Sequence, residues 1–365
     1  MRLVIAPDSF KGSLTSVEVA TALREGWRAA RPDDEILLAP LADGGEGTLV
    51  AIHAAGGWEW RTASATDPIG RSVEARWLRS TDGRRAAVEL AEASGLSRLS
   101  AGERDPVGAS TLGTGEVLRA VLDDRIRTIT LGIGGSATTD GGAGILRALG
   151  AAVDGDRVEL DGLDPRLAEV ELRIACDVTN PLLGPTGAAA TYGPQKGATP
   201  EQVADLDARL ARYADGLRSV TGRDERETPG AGAAGGTAFG LLSIADRFWS
   251  VRLVPGVDVV MEETGLRSKL AGADLVITGE GRIDAQTAYG KTALGVARLA
   301  HTAGVACIAV GGGVEPEGIE ALATVGAVVM PVSERPQSVE DAMAAGVEPV
   351  RRCGQRLARL LSIGR

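Results

Sequence analysis

The side chains able to do chemistry gather in glycine-flanked stretches. Residues 276–295 read VITGEGRIDAQTAYGKTALG, where a strand-like apolar run leads into Glu280, Arg282 and Asp284 and then into Gly290-Lys291-Thr292. A P-loop needs a glycine five residues before its final Gly-Lys-Thr so that successive backbone N–H groups can wrap the phosphates. Position 285 is alanine. The stretch from Gly279 to Lys291 is therefore expected to be a long charged loop, with some other way of holding an anion left open.

Residue scarcity singles out further candidates. Of 39 basic residues only four are lysines, Lys11, Lys196, Lys269 and Lys291. Lys11, Lys196 and Lys291 each stand beside a glycine in a loop-like stretch, whereas Lys269 sits in a helix-like segment, where Lys269→Arg is expected to be silent. An ammonium is a compact point charge suited to a phosphoryl group, where a planar guanidinium would be too bulky. Asn180 is the only asparagine, in ACDVTNPLLG, three residues after Asp177. A carboxylate and a carboxamide on one strand-to-loop corner suit Mg²⁺, which takes oxygen ligands. An Asx turn before Pro181 accounts for Asn180 equally well.

The run LGIGGSATTDGGAG (131–144) contains G-x-G-x-x-A at Gly132, Gly134 and Ala137, with Asp154 lying 22 residues after Gly132. That spacing satisfies a dinucleotide fingerprint. Ser136 to Asp140 and two more glycines, however, delay any helix, and a longer nest of N–H groups and hydroxyls suits a nucleoside triphosphate or a carboxylate. A glycine-rich loop that merely lets chain segments approach closely is the plainer alternative. APDSFKGSLTS (6–16) places Asp8, Ser9 and Lys11 after the first strand, and ADGGEGT (42–48) places Asp43 and Glu46 after the second. Ligands of open α/β sheets bind at that edge, although Asp43 could also cap a helix with Glu46 at its third position.

The elements that must position these groups alternate. Strands are expected at 2–6, 35–39, 274–278, 305–310 and 325–331, with helices at 16–30, 46–55, 292–303 and 338–361, the pattern of a parallel doubly wound sheet. In the middle of the chain, residues 58–66 and 73–91 read as antiparallel strands turning at Thr81-Asp82-Gly83-Arg84. Residues 128–133 and 173–178 read as buried strands and 200–219 as a helix, while 222–237 reads as a mobile loop before a helix at 237–247. At 365 residues the chain exceeds the roughly 250–300 at which single cores stop growing. The fold class is accordingly α/β in two domains: a discontinuous Rossmann- or flavodoxin-like domain (1–56 and 270–365) and an inserted mixed α/β domain (57–269), with the site in the cleft between them.

Composition excludes several functions. The formal charge is −10 and aromatics are 3%, which argues against a nucleic-acid surface. No apolar run approaches the ~18 residues of a membrane span. With only His53 and His301 there is little material for histidine–zinc sites or serine–histidine triads. Cys176, Cys307 and Cys353 lack CxxC spacing and read as buried, reduced thiols of a cytoplasmic protein.

In order along nearly the whole chain, APDSFKGSLT, LADGGEGT, GIGGSATTDGGAG, ACDVTNPLLGPTGAA, YGPQKGA, PGAGAAGG and DLVITGEGRIDAQTAYGKTALGVA resemble the bacterial glycerate kinase family, of the D-glycerate 2-kinase type. The resemblance implies ATP-dependent phosphorylation of D-glycerate to 2-phosphoglycerate without a P-loop, with Mg²⁺ as cofactor. Under it, Lys11 and Lys291 stabilise the transferring phosphoryl group and Asp284 is the candidate base. Gly134, Gly135, Ser136, Thr138 and Asn180 hold the nucleotide, Asp177 and Glu280 the metal, and Asp8, Ser9, Asp43, Arg71 and Lys196 the glycerate. Where the family has Asn after Ser-Ala-Thr this chain has Thr139, so an amide contact there is replaced by a hydroxyl or lost. ATP and glycerate are the expected partners, without nucleic acid or membrane, and homo-oligomerisation is open. A nicotinamide-dependent dehydrogenase using the 132–144 loop and a non-catalytic metabolite-binding protein are the alternatives.

Overall fold

The computed structural model describes residues 1–289 and 292–362. The chain forms two compact units, one of Met1–Asp43, Val50–Gly56 and Val260–Arg365 and one of Gly44–Leu49 and Gly57–Val259.

In chain order the strands are β1 (Arg2–Pro7) and β2 (Glu35–Leu38) in the first unit. The second unit holds β3 (Trp58–Thr66), β4 (Ser72–Ser80), β5 (Arg85–Glu89), β6 (Thr128–Gly132), β7 (Ala152–Asp154), β8 (Arg157–Glu159), β9 (Glu171–Ala175) and β10 (Ser250–Val254). The first unit resumes with β11 (Leu275–Ile283), β12 (Ala306–Val314) and β13 (Val328–Pro331). Its sheet is wholly parallel with order β13-β12-β11-β1-β2. Counted within that unit this is the flavodoxin-like order, whose switch point lies between β1 and β11. Leu3, Val4, Ile5 and Ala6 are fully buried, as a continuous apolar strand covered on both faces requires.

The second unit has a mixed sheet, order β10-β9-β6-β5-β4-β3, in which β5, β6, β9 and β10 are parallel and β3 and β4 antiparallel. The turn at 81–84 joins β4 to β5 where the alternating pattern places it. The helix Pro200–Thr221 begins with a Thr199–Gln202 capping box and Pro200 and stops at Gly222, whose φ is +71°. Cap, fixed φ and left-handed stop each act as such residues do at helix ends. It buries Leu206, Leu210, Tyr213 and Leu217 against the core.

Four expectations are corrected. The strand leading into Gly279 does not give way to a loop: β11 runs on to Ile283, with Glu280 opposite Gly311 and Arg282 opposite Gly313 of a similarly extended β12. Glycine is a weak strand former, but here a side chain would obstruct packing, since a Cβ on Gly281 would lie 3.1 Å from the Phe10 Cα. The C-terminal helix is two helices, Val339–Ala344 and Glu348–Leu360, separated by Gly346 at φ +61°. The 222–237 segment expected as a mobile loop buries Ala231 and Ala233 completely or nearly so; the helix Ala233–Ser243 is kinked at Ala234, Gly235 and Gly236 (φ +53°, +68° and +85°), so its regular turns begin at the expected position 237. Finally, the first unit resumes at Val260 instead of 270 and gives up residues 44–49. Helix Leu266–Leu270 buries Leu266 and Leu270, and the Lys269 Nζ donates to the carbonyls of Leu38 (2.8 Å), Ala55 (2.7 Å) and Thr264 (2.8 Å), tying that helix to the first unit.

Candidate active site

In the first unit the candidate groups lie at the carboxyl ends of β1 and β11. The Asp8 N–H donates to the Gly279 carbonyl at 2.8 Å, so the turn after β1 is fixed to the neighbouring strand. The Asp8 carboxylate accepts from its neighbour's N–H, Ser9, at 2.6 Å and from the Thr292 hydroxyl at 2.6 Å. Burial pushes its pKa up, against those two hydrogen bonds, with the Asp43 charge adding to the rise and Lys11 opposing it. Lys11 is exposed, and its ammonium sits 3.3 Å from the Asp43 carboxylate. Glu280 is 6% exposed and accepts from the Thr287 hydroxyl at 2.6 Å. That hydroxyl in turn accepts from the Asp284 N–H at 3.1 Å. The Asp284 carboxylate accepts from the Gln286 N–H at 2.8 Å and lies 3.6 Å from the Arg282 guanidinium. Asp8, Lys11 and Asp43 are therefore brought together, as are Glu280 and Asp284 through Thr287. Lys291 lies outside the described residues.

In the second unit the glycine-rich run forms the loop between β6 and the helix Ala143–Ala148. Gly134 has glycine's reason to be there, because a Cβ would meet the Gly45 Cα at 2.5 Å. The Lys196 side chain reaches this loop from the one-turn helix Pro194–Lys196. Its ammonium donates to the Ser136 hydroxyl at 2.9 Å and to the Thr138 carbonyl at 2.5 Å. Lys196 is 1% exposed, and burial lowers its pKa to about 7 although the Asp140 charge opposes the fall. Thr138 and Thr139 are 0% and 4% exposed, and neither hydroxyl has a hydrogen-bond partner among the described residues. Position 139 is thus a buried polar position whose hydroxyl makes no hydrogen bond among the described residues.

Three other candidates are engaged in their own surroundings. The Asn180 amide nitrogen donates to the Thr186 carbonyl at 2.8 Å and the Thr191 hydroxyl at 3.3 Å, and its oxygen accepts from the Tyr192 hydroxyl at 2.8 Å. Asp177 is exposed and accepts from the Gly256 N–H at 2.8 Å. The Arg71 guanidinium bridges Asp67 (2.5 Å), Glu103 (2.7 Å) and the Arg98 carbonyl (3.2 Å).

Two competing explanations fail on geometry. The helix after the 42–48 stretch begins at Thr48, so Asp43 is not its cap. The dinucleotide fingerprint fails because the helix after Gly132 starts only at Ala143, and Asp154 is exposed on β7 of a separate two-stranded sheet. Of the cysteines, Cys307 and Cys353 are buried, whereas Cys176 is partly exposed.

Several residues had no sequence signal. Asp140 accepts from the Thr111 N–H (2.8 Å), the Thr111 hydroxyl (2.9 Å), the Gly142 N–H (3.1 Å) and the Gly144 N–H (3.1 Å), anchoring the far end of the loop. Glu89, 5% exposed at the end of β5, accepts from the Leu49 N–H at 2.6 Å and is pushed by burial to a pKa of about 7. It lines a cavity of about 550 Å³ together with Glu46, Glu74, Glu92, Arg76 and Arg98. A lone carboxylate in ordinary strand sequence announces neither its burial nor its partners.

Among the described residues no group of three or more His, Cys, Asp or Glu could hold a metal alone. Mg²⁺ in phosphoryl transfer needs only one or two carboxylates besides the nucleotide's phosphates. Carboxylates such as Asp177 and Glu280 fit that demand by donor chemistry.

A discontinuous flavodoxin-like sheet carrying carboxylates and a lysine at its switch point, and a second mixed α/β unit carrying a glycine- and hydroxyl-rich loop, define a two-unit α/β protein. The glycerate kinase family profile matches residues 3–362, and the chain belongs to that family. It is 40% identical to a glycerate kinase of Halalkalibacterium halodurans, over 98% of this chain and 97% of that one. It is 38% identical to the glycerate 2-kinase of Escherichia coli K12, over 100% of this chain and 99% of that one. A crystal structure assigned as glycerate kinase 2 from Salmonella typhimurium LT2 superposes with a TM-score of 0.86 at 40% identity, covering 100% of this chain and 99% of that one. The chain is a glycerate kinase, a phosphotransferase with an alcohol as acceptor. That assignment replaces both the dehydrogenase and the non-catalytic reading.

Proposed function

We propose that the enzyme transfers the γ-phosphoryl group of ATP to the 2-hydroxyl of D-glycerate, giving 2-phosphoglycerate and ADP. The observation that carries the product assignment is the full-length similarity to a glycerate 2-kinase. The glycerate hydroxyl oxygen attacks the γ-phosphorus, the bond to the bridging oxygen of ADP breaks, and the hydroxyl proton passes to a carboxylate. Phosphoryl transfer of this kind rests on positioning and on neutralising charge. Lys11 and Lys291 serve the transferring group, and Ser136, Thr138 and the Gly134–Gly135 backbone serve the nucleotide. Asp8, Ser9, Asp43 and Arg71 serve glycerate, and Asn180 acts through the 180–192 corner that it braces. Mg²⁺, held by Asp177 or Glu280, supplies charge neutralisation on the phosphates when bound.

Asp284 and Asp8 are the candidates for the proton acceptor. Burial and a raised pKa favour Asp8, since a base works best with a pKa nearer the working pH. Asp8→Asn should lower kcat by about 10²-fold or more, with Asp284→Asn less affected. The reverse order returns the role to Asp284. We place the enzyme in the cytoplasm, in line with free cysteines; no described helix is long and apolar enough to cross a membrane.

The test is product identification by ³¹P NMR after incubation with ATP, Mg²⁺ and D-glycerate. Formation of 3-phosphoglycerate would overturn the regiochemistry, and absence of ADP would overturn the nucleotide assignment.

A further inference from the structure

We infer that Lys196 is a positioning residue: its ammonium holds the Gly134–Asp140 loop in shape for the nucleotide through Ser136 and Thr138, and does not itself meet glycerate. The inference rests on the reading that this loop takes the nucleotide.

Three observations carry it. First, Lys196 is 1% exposed, so no surface of it is offered to a substrate carboxylate, and two of its three N–H bonds already end on the Ser136 hydroxyl and the Thr138 carbonyl. Its own backbone is held as well: the Lys196 N–H donates to the Gly193 carbonyl at 3.0 Å, and Gly197 follows at φ +98°. Second, the loop needs holding. It is rich in glycine, which loses more conformational freedom on ordering than any other residue, and Gly135 sits at φ +74°. Asp140 fixes one end on Thr111, Gly142 and Gly144, while Lys196 supplies the opposite charge at Ser136 and Thr138. Third, the hydroxyls of Thr138 and Thr139 are buried without partners among the described residues. Buried polar groups left unpaired are costly, so the backbone that carries them has to be held from elsewhere, and the Lys196 ammonium holds it at the Thr138 carbonyl.

The size of the cation matters. Within a pocket this closed, an ammonium reaches a hydroxyl and a carbonyl at 2.9 and 2.5 Å. A guanidinium is larger and planar and cannot occupy the same point, which accounts for lysine here in a chain with only four lysines among 39 basic residues.

The test uses the full-length enzyme and the variants Lys196→Met, Ser136→Ala and their combination. Amide hydrogen exchange is followed without substrate, and kinetics with ATP and D-glycerate varied separately. In Lys196→Met the loop amides at 134–142 should exchange about tenfold faster or more while β1 is unchanged. KM for ATP should rise and kcat fall by about tenfold each, with KM for glycerate within about twofold. Ser136→Ala should move the same quantities less, and adding it to Lys196→Met should change little further, because both act through one contact. A Lys196→Met enzyme with normal loop exchange and normal KM for ATP, but a KM for glycerate raised about tenfold, would overturn the inference. If Lys196→Met does not fold, unchanged loop exchange in Ser136→Ala overturns it alone. A wild-type enzyme that makes no ADP would instead defeat the proposed function, while the exchange measurement still decides the clamp.

Discussion

The Lys196 ammonium nitrogen lies 2.9 Å from the Ser136 hydroxyl in a position sealed from solvent. Burial lowers the lysine pKa from 10.5 to about 7, the Asp140 charge only partly offsetting it. The unfolded chain therefore binds more protons than the folded one between about pH 7 and 10.5. Below pH 7 the cost of the buried charge is fully present, and it is relieved as pH rises through that window. Urea unfolding of the wild type and Lys196→Met should show the wild type gaining on the variant between pH 7 and 9, by up to about 1.4 kcal/mol per pH unit. A constant difference would mean that the site carries no unusual lysine.

Glu89 behaves with the opposite sign. Its carboxyl is raised from 4.5 to about 7 by burial, against the hydrogen bonds it accepts from Leu49 and Gly47. Between pH 4.5 and 7 the folded state holds the extra proton, so this group removes stability as pH rises through that range. Glu89→Gln keeps an acceptor for the Leu49 N–H and cannot ionise. Relative to this variant the wild type should weaken between pH 5 and 7, measured by denaturant midpoint, and parallel profiles would contradict the assignment.

Lys269 is not a silent position. Its ammonium caps three backbone carbonyls from Leu38, Ala55 and Thr264, and its pKa is lowered to about 8 by burial. Lys269→Arg forces a larger planar group into that tripod and should cost about 1–3 kcal/mol, as overpacking a closed site does. The thermal midpoint reads this directly. An unchanged midpoint would restore the expectation that Lys269→Arg is silent.

Asp177→Asn tests the metal. The side-chain oxygen that accepts from the Gly256 N–H is retained in asparagine, so the corner should stay folded. Loss of the charge should move the Mg²⁺ activation curve to higher concentration by about tenfold or more. An unmoved curve at unchanged rate would remove Asp177 from the metal site.

Much of the molecule is legible in its residues. A continuous apolar run places β1, period-3.6 spacing the helix from Ser16, and alternation the strands around the 81–84 turn, because local backbone preference and burial agree there. The end of β11 is not legible, because glycines that locally favour a loop are held extended by pairing with β12. Ser136, Thr138 and Lys196 could each be picked out by type and setting, yet 60 residues separate Lys196 from Ser136, and nothing local indicates that one binds the other.

By itself the sequence determined the α/β class, the order of the motifs and their family, since these follow from patterns within short stretches of chain. Only the tertiary structure decided which charges are buried. Two lysines that look alike beside glycines end in opposite surroundings, Lys11 exposed at Asp43 and Lys196 closed beneath Ser136, while Lys269, unremarkable in its helix, became a tripod on three carbonyls. The physical reason is that desolvation and hydrogen-bond partners are supplied by segments distant in sequence, and these determine what a charged group can do.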